Sequence, residues 1–339
     1  MRRQLCRLAR SEDRILLLDA KPLPAAAAPI TAVHSTLPTI KAITHRAGAK
    51  HLGDATILHA WGFSAGKRAL AIAKASPTRR VIVSLPGADL AGVPADLPWR
   101  ISGSKFDVTV PTAADRDALI AAAGDEKRIH QLPPLGQETK LGADRIAELR
   151  DHFAPHGQPL CMVVGELTRL SGAREAAWVH AMISRIRPNV RLVFTKTGPQ
   201  RRAIKAFLHN NDNDDMASIL DLAMPVTDLL AAADVLMILD QGAGNVGDFA
   251  DALAAKKPLI ATDLRSFVDL SNQGEAAMLS PRGDIRQAAS NLLRLLDNQD
   301  DLRERLSQGA TRAAEACSPA AVRTTLDAIY HTFTESKRA

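Results

Sequence analysis

Six consecutive residues, Gly242-Ala-Gly-Asn-Val-Gly247, carry the sharpest chemical signal in the chain. Ahead of them the apolar run 234–239 reads as a buried strand, and behind them residues 248–255 carry helical spacing. Glycines at a strand-to-helix turn let the backbone approach a ligand, while the N–H groups and dipole at the helix start favour an anion such as a phosphate. Gly242, Gly244, Asn245, Val246 and Gly247 are therefore expected to hold a pyrophosphate; the alternative is that the glycines serve only tight strand-to-helix packing. Taken literally the run is also GxGxxG, with Asp263 about 20 residues on, which would set that carboxylate on a dinucleotide ribose. Its position argues against this, because such a fingerprint opens its domain and here three apolar strand runs of the second half come first.

Other residues of chemical interest carry less. His59 closes the apolar run 56–59 and could act at a cleft, with a packed strand-end histidine as the alternative. The acidic loop 209–216 contains Asp212 and Asp214, which read as an exposed connection, so no metal is assigned. Cys6, Cys161 and Cys317 are odd in number and show no CxxC spacing, which supports neither a disulfide framework nor a zinc site.

The elements that must position these residues alternate along the chain. Runs 14–19, 56–59, 80–84 and 107–111 read as buried strands, with helices over 67–75 and 113–123, the second entered through Thr112 as N-cap and stopped near Gly124. A helix ends near Arg150, and the stretch 152–159 then breaks the pattern with two prolines and a glycine, which sets a domain boundary near residue 155. The alternation restarts with strands over 160–164, 191–194, 234–239 and 258–261 and helices over 173–185, 201–208 and 248–255. Strand and helix in alternation require right-handed crossovers and parallel sheets, so ligands should gather at the carboxyl ends of the strands. The expectation is α/β, two Rossmann-like domains facing a cleft.

Composition agrees with this class. Of 339 residues 46% are hydrophobic, 24% charged and 4% aromatic, which fits a folded α/β protein and neither a disordered chain nor an all-β sandwich. No export signal is visible and no apolar run is long enough to span a bilayer, so a cytoplasmic protein is expected, with peripheral contact at the inner face of the membrane as an option. That option comes from charge. Residues 1–155 hold 22 Lys and Arg against 15 Asp and Glu, and the remainder 21 against 22, so the net +6 lies in the first half and could meet anionic lipid or an acidic acceptor.

A family resemblance accounts for more of the chain. The segment Asp251-Ala-Leu-Ala-Ala-Lys-Lys-Pro-Leu-Ile-Ala261 resembles the EAMAxGxPVIA segment of the group 1 (family 4) glycosyltransferases, retaining enzymes of GT-B fold that use activated sugars. Around it, in order, Gly165-Glu-Leu and Ser171-Gly172 stand where the family has GRL and KG, and residues 187–199 where it has PxxxLxIxGxGP. Residues 230–235 stand where it has YxxADV, and Ser280-Pro-Arg-Gly-Asp284 is similar to its VPPGD. Residues 54–61 and Pro133-Pro-Leu-Gly136 are similar to its DVVHAH and PNGV. The resemblance implies a nucleoside-diphosphate sugar donor, a glycan, lipid-linked or small-molecule acceptor with a hydroxyl, retention of configuration, no metal or other cofactor and no nucleic acid. It puts Gly165 and the 242–247 loop on the phosphates, Asp251 on the ribose, and Arg169 nearby as an assisting cation.

The departures from the family have consequences. Of its two glutamates eight positions apart, the second corresponds to Asp251 and the first to Ala243, which can neither accept a hydrogen bond through its side chain nor carry charge. Its phosphate-binding Arg and Lys fall at Glu166 and Ser171, so two cations are lost and one repulsive charge is gained. The histidine of the family's THG turn is replaced by Pro86, and residues 1–10 read as the helix that follows the family's first strand and loop, so that strand is expected to be missing or the gene start misplaced. Three functions therefore stand at this point: a glycosyltransferase, a GT-B protein that binds nucleotide or glycan without transfer, and a nicotinamide-dependent oxidoreductase.

Overall fold

The computed structural model describes residues 16–18, 41–43, 57–61, 66, 69–70, 80–85, 106–123, 125–221, 224–242 and 244–335. The expected helix over 1–10, Pro86, Gly124, Ala243 and most of the expected helix 67–75 lie outside them. A short parallel pair joins β1 (Leu16–Leu18) and β2 (Lys41–Ile43). A four-stranded parallel sheet runs β3 (Ile57–Trp61), β4 (Arg80–Ser84), β5 (Phe106–Val110) and β6 (Ile129–Gln131) in chain order. Helix α1 (Ala113–Ala123) crosses from β5 to β6, and its N-cap is Thr112 as expected, with the Asp115 N–H donating to the Thr112 hydroxyl at 3.0 Å.

The second sheet has six strands, all parallel, in the order β12-β11-β10-β7-β8-β9. These are β7 (Leu160–Val163), β8 (Arg191–Phe194), β9 (Ala217–Ile219), β10 (Val235–Ile238), β11 (Leu259–Thr262) and β12 (Met278–Ser280). Counted from the β9 edge, the chain order across the sheet is 3-2-1-4-5-6, the doubly wound arrangement. The apolar runs of β7 and β10 are buried along their whole length because helices cover both faces. Successive residues of β10 face opposite ways: Leu236 and Ile238 join one core, Val235 and Met237 the other.

On the first face lie α2 (Ala143–Phe153), α5 (Val226–Ala232), α6 (Val246–Ala254), α7 (Arg265–Leu270) and α9 (Leu302–Ala316), where Phe249 stacks on Phe267 at 4.4 Å. On the second lie α3 (Ala173–Ile183), α4 (Arg201–Asn210) and α8 (Ile285–Leu296). Among the strands, the expected spans agree with the observed ones to within a residue or two.

The last helix, α10 (Pro319–Glu335), leaves the second sheet and packs Val322, Leu326 and Ile329 against Ile82, Leu132 and Leu135 of the first. The chain thus passes between the sheets near residue 136 and again near 317, and the two passages touch: the Gly136 N–H donates to the Cys317 carbonyl at 2.8 Å. A Cβ on Gly136 would stand 2.7 Å from the Ala250 carbonyl, so the passage lies flat against α6. A second tie joins α1 to α7. The Ala114 N–H donates to Asp269, and the Ser266 hydroxyl to Asp115, whose buried carboxyl is pushed above the usual range by burial, against the hydrogen bonds from Thr112 and Ser266.

Gly172 tests the packing most severely. It caps α3 at φ +73°, and a Cβ there would fall 1.8 Å from the Leu239 carbonyl oxygen, inside the junction of β7 and β10. Gly172→Ala is expected to cost about 3 kcal/mol or more of stability in urea denaturation. Gly142→Ala, with no atom within 4 Å of its Cβ, should change stability by less than ~1 kcal/mol.

Candidate functional site

In a sheet of this order the strands β7 and β10 lie side by side although they are first and fourth in the chain, and the connections that follow them diverge. A crevice opens there at the carboxyl ends of the strands, and ligands of such sheets bind in it. The loops after β7 and β10 hold each other at this point: the Val164 N–H donates to the Met237 carbonyl at 3.0 Å and the Gln241 N–H to the Leu170 carbonyl at 2.8 Å. Gly165, Gly242 and Gly244 take φ of 120°, 125° and 57°, so the turns need glycine for their backbone path as well as for room.

The centre of the loop after β10 is Asp240, a buried carboxylate. Its two oxygens receive the N–H groups of Gly242 at 2.8 Å and Asn245 at 3.3 Å, and its carbonyl accepts from the Thr262 hydroxyl at 2.8 Å. The Asn245 side chain caps α6 by accepting the Asp248 N–H, and the Val246 N–H donates to the Gly244 carbonyl. Three donors expected to be free for a phosphate, those of Gly242, Asn245 and Val246, are therefore committed within the protein, as is the first-turn N–H of Asp248. The physical reason is that backbone N–H groups converging in a turn form a concavity for anions, and the chain supplies its own carboxylate to it. An anionic ligand there would need side-chain cations instead.

Two cations stand at the crevice. Lys196, just past β8, places Nζ 2.7 Å from Asp248 Oδ1, while the Asn245 amide donates to Asp248 Oδ2 at 2.6 Å. Asp248 lies in the first turn of α6 and is only 8% exposed. A Cβ on Gly165 would approach that same Oδ2 within 3.5 Å, so the glycine keeps the space beside the ion pair open. Arg282, from the loop after β12, brings its guanidinium to 3.5 Å from where a Cβ on Gly242 would sit. Lys196, Asp240, Asp248 and Arg282 were not singled out from the sequence. Asp248 had a signal, as an acid three residues after a capping Asn, and Lys196 as a charge directly behind a buried strand.

Of the residues that were singled out, Gly165, Gly242, Gly244, Asn245, Val246 and Gly247 are gathered at this crevice. Arg169 and Glu166 are exposed on the loop after β7, and the Ser171 hydroxyl closes that loop by donating to the Thr168 carbonyl. Asp251, one turn beyond Asp248, accepts the Gln137 N–H at 3.0 Å, so its Oδ1 faces the passage between the sheets. The GxGxxG run follows the fourth strand of its sheet, not the first, which is not the arrangement a dinucleotide fingerprint requires. Asp263 accepts the Arg282 N–H at 3.2 Å.

His59 lies in the middle of β3, not at its end. Nδ1 is 2.7 Å from the Tyr330 hydroxyl, Nε2 is 2.7 Å from the Ser84 hydroxyl, and the ring stacks on Trp61. Both nitrogens are engaged, and burial lowers its pKa to about 3, so the imidazole ties β3, β4 and α10 together as a neutral packed group. The loop with Asp212 and Asp214 holds a His209–Asp214 contact, and no group of three potential metal ligands occurs among the described residues.

Residues 158–298 match the family model described as glycosyl transferases group 1. Among curated proteins, the alpha-D-kanosaminyltransferase of Streptomyces kanamyceticus is 23% identical over 189 residues, 54% of this chain and 49% of that protein. The chain thus spans about half the length of the curated relative it matches. Among solved structures, a glycosyltransferase from Rickettsia africae is similar with a TM-score of 0.78 and 13% identity, covering 98% of this chain and 94% of that one. HepE from Anabaena in complex with UDP is similar at 0.78 and 13%, covering 97% and 94%. At such identities the structural likeness establishes the fold, GT-B, with two parallel-sheet domains.

The packed histidines give a pH dependence. Unfolded, His59 and His180 titrate near pH 6.5, whereas burial lowers both in the folded chain, His59 to about 3. The unfolded state binds more protons across that window, so stability is full above pH 6.5 and is lost as pH falls through it. In urea melts at stepped pH, His59→Gln is expected to remove up to ~1.4 kcal/mol per pH unit from the wild-type slope below pH 6. Identical slopes would show that His59 is not held neutral.

Proposed function

We propose that the chain, whose residues 158–298 match the model of the group 1 glycosyl transferases, transfers a sugar from a nucleoside-diphosphate donor to a hydroxyl acceptor, with retention at the sugar carbon. We further propose a division near residue 155 into an acceptor-side domain and a donor-side domain. The observation that carries the reading is Lys196 at the strand-order reversal, held by Asp248 beside Gly165. When the bond from sugar to diphosphate breaks, negative charge grows on the leaving phosphate oxygen. A positioned ammonium in a partly dry crevice stabilises that charge more than it stabilises the bound donor.

In this reading Lys196 and Arg282 supply the positive charge that the family places at the positions of Glu166 and Ser171, with Arg169 at the mouth. Gly165, Gly242, Gly244, Asn245, Val246 and Gly247 shape the bed for the diphosphate. Asp251 receives ribose hydroxyls beside the Gln137 N–H, since a carboxylate accepts several hydrogen bonds. HepE has been crystallised with UDP and with UDP-glucose, which supports a donor of this class. The acceptor is a glycan, a lipid-linked sugar or a small molecule. No helix among the described residues is long and apolar enough to cross a membrane.

A second reading, binding without transfer, is favoured by Asp240, which occupies the anion concavity of the loop. Calorimetric titration with UDP-, GDP- and ADP-sugars separates the two. The transferase reading expects one base to bind, release of free nucleotide on prolonged incubation with donor, and about tenfold weaker binding by Lys196→Ala and by Asp251→Ala. Binding with no release of nucleotide in the presence of any acceptor would favour the second reading. Folded wild-type protein that gives no heat with any nucleotide sugar would reject both.

A further inference from the structure

Four large apolar side chains stand exposed among the described residues, and all four lie on α3 or within three residues of its ends: Leu170 at 51%, Trp178 at 38%, Met182 at 40% and Ile186 at 62%. Trp178, Met182 and Ile186 are four residues apart, and Leu170 is eight before Trp178, with exposed Arg174 in the position between. Residues four apart stand above one another on a helix, so Arg174, Trp178 and Met182 follow the outer crest of α3, with Leu170 and Ile186 beyond its two ends. The opposite side of α3 is filled by Ala173, Ala176, Ala177, Val179, His180 and Ile183, all buried, so the outward side chains are not needed for the core. The Trp178 ring leans on Phe207 of α4 at 4.6 Å, which holds it upright.

The charges around this crest have one predominant sign. Arg174 on α3 and Arg185 just past its end flank it, Arg202 is exposed on α4, and Arg286 and Arg294 are exposed on α8, which packs against α3. On the acidic side are half-buried Glu175, exposed Glu166 on the loop that carries Leu170, Asp284, which caps α8, and Asp297, paired with Arg187 at 2.6 Å. A second copy of the chain would bring two cationic flanks together. The apolar side chains form a ridge, not a groove, and a ridge enters a headgroup layer without needing a matching surface, while arginines reach the phosphates around it.

We propose that the outer face of α3, with its neighbours α4 and α8, docks on an anionic phospholipid surface. The inference does not rest on sugar transfer, and it places the contact in the half of the chain opposite to the basic excess of residues 1–155. Leu170, in the loop just before α3, accepts the Gln241 N–H through its carbonyl, so docking of this face would set the crevice near the membrane edge.

The test is co-sedimentation of the full chain with vesicles of phosphatidylcholine alone and of equimolar phosphatidylcholine and phosphatidylglycerol. The variants are Met182→Ser/Ile186→Ser and Arg174→Glu/Arg185→Glu, each checked for an unchanged melting temperature. Binding to the anionic vesicles only, reduced about tenfold or more in both variants, is the expected result. Three results would overturn the proposal: no sedimentation of the wild type with anionic vesicles, equal sedimentation of the variants, or a wild-type dimer that the serine variant converts to monomer. Should one double variant prove unstable, the other decides.

Discussion

Everything at the crevice depends on two strands being neighbours in space that are first and fourth in the chain. β7 and β10 pair in register, and the loops beyond them close on each other so tightly that Gly172 has no room for a side chain beside the Leu239 carbonyl. That contact fixes where α3 and α6 start. It thereby fixes Gly165, Asp240 and Asp248 within one small volume, and it brings Lys196 in from the adjacent β8. The packed cores on both faces of the sheet hold the strands, and the crevice is the one place where the covering helices must part.

Within that volume the chain resolves a charge problem in its own way. Asp240 satisfies the turn that would otherwise present bare N–H groups, which stabilises the loop and removes its attraction for anions. The positive charge a diphosphate needs is carried by side chains instead. Lys196 is paired with Asp248, and that pair is partly desolvated, so breaking it has a cost that a doubly charged phosphate group can offset. Arg282 stands on the other side of the loop. The positions at which the family resemblance leads one to expect cations, Glu166 and Ser171, are an exposed acid and a hydroxyl spent on closing its own turn.

Much of this was legible in the sequence. Buried parallel strands write themselves as short apolar runs, so β4, β5, β7, β8, β10 and β11 were all found, and with them the alternation that implies two Rossmann-like sheets. The three-residue strands β6, β9 and β12 were not, because edge strands of that length bury too little to leave a pattern. The 242–247 loop stood out as a glycine-rich strand-to-helix turn and Gly165 through the family resemblance, and the structure sets both at the crevice. Lys196, Asp248 and Arg282 were missed because their meaning lies in strand order, which brings together residues dozens of positions apart. For His59 the structure shows the packed alternative, in mid-strand, with partners Ser84 and Tyr330 that come from another strand and from the last helix and so leave no mark near residue 59.

The central claim is that a nucleoside diphosphate binds at the reversal of strand order and is held there by Lys196. Hydrogen exchange of the backbone, followed by mass spectrometry with and without saturating nucleoside diphosphate, tests it most directly. The account predicts slowed exchange confined to residues 136–138, 164–172, 195–200, 239–252 and 280–284, and its loss in Lys196→Ala at the same ligand concentration. Protection that lies elsewhere, or that persists unchanged in the variant, would contradict it.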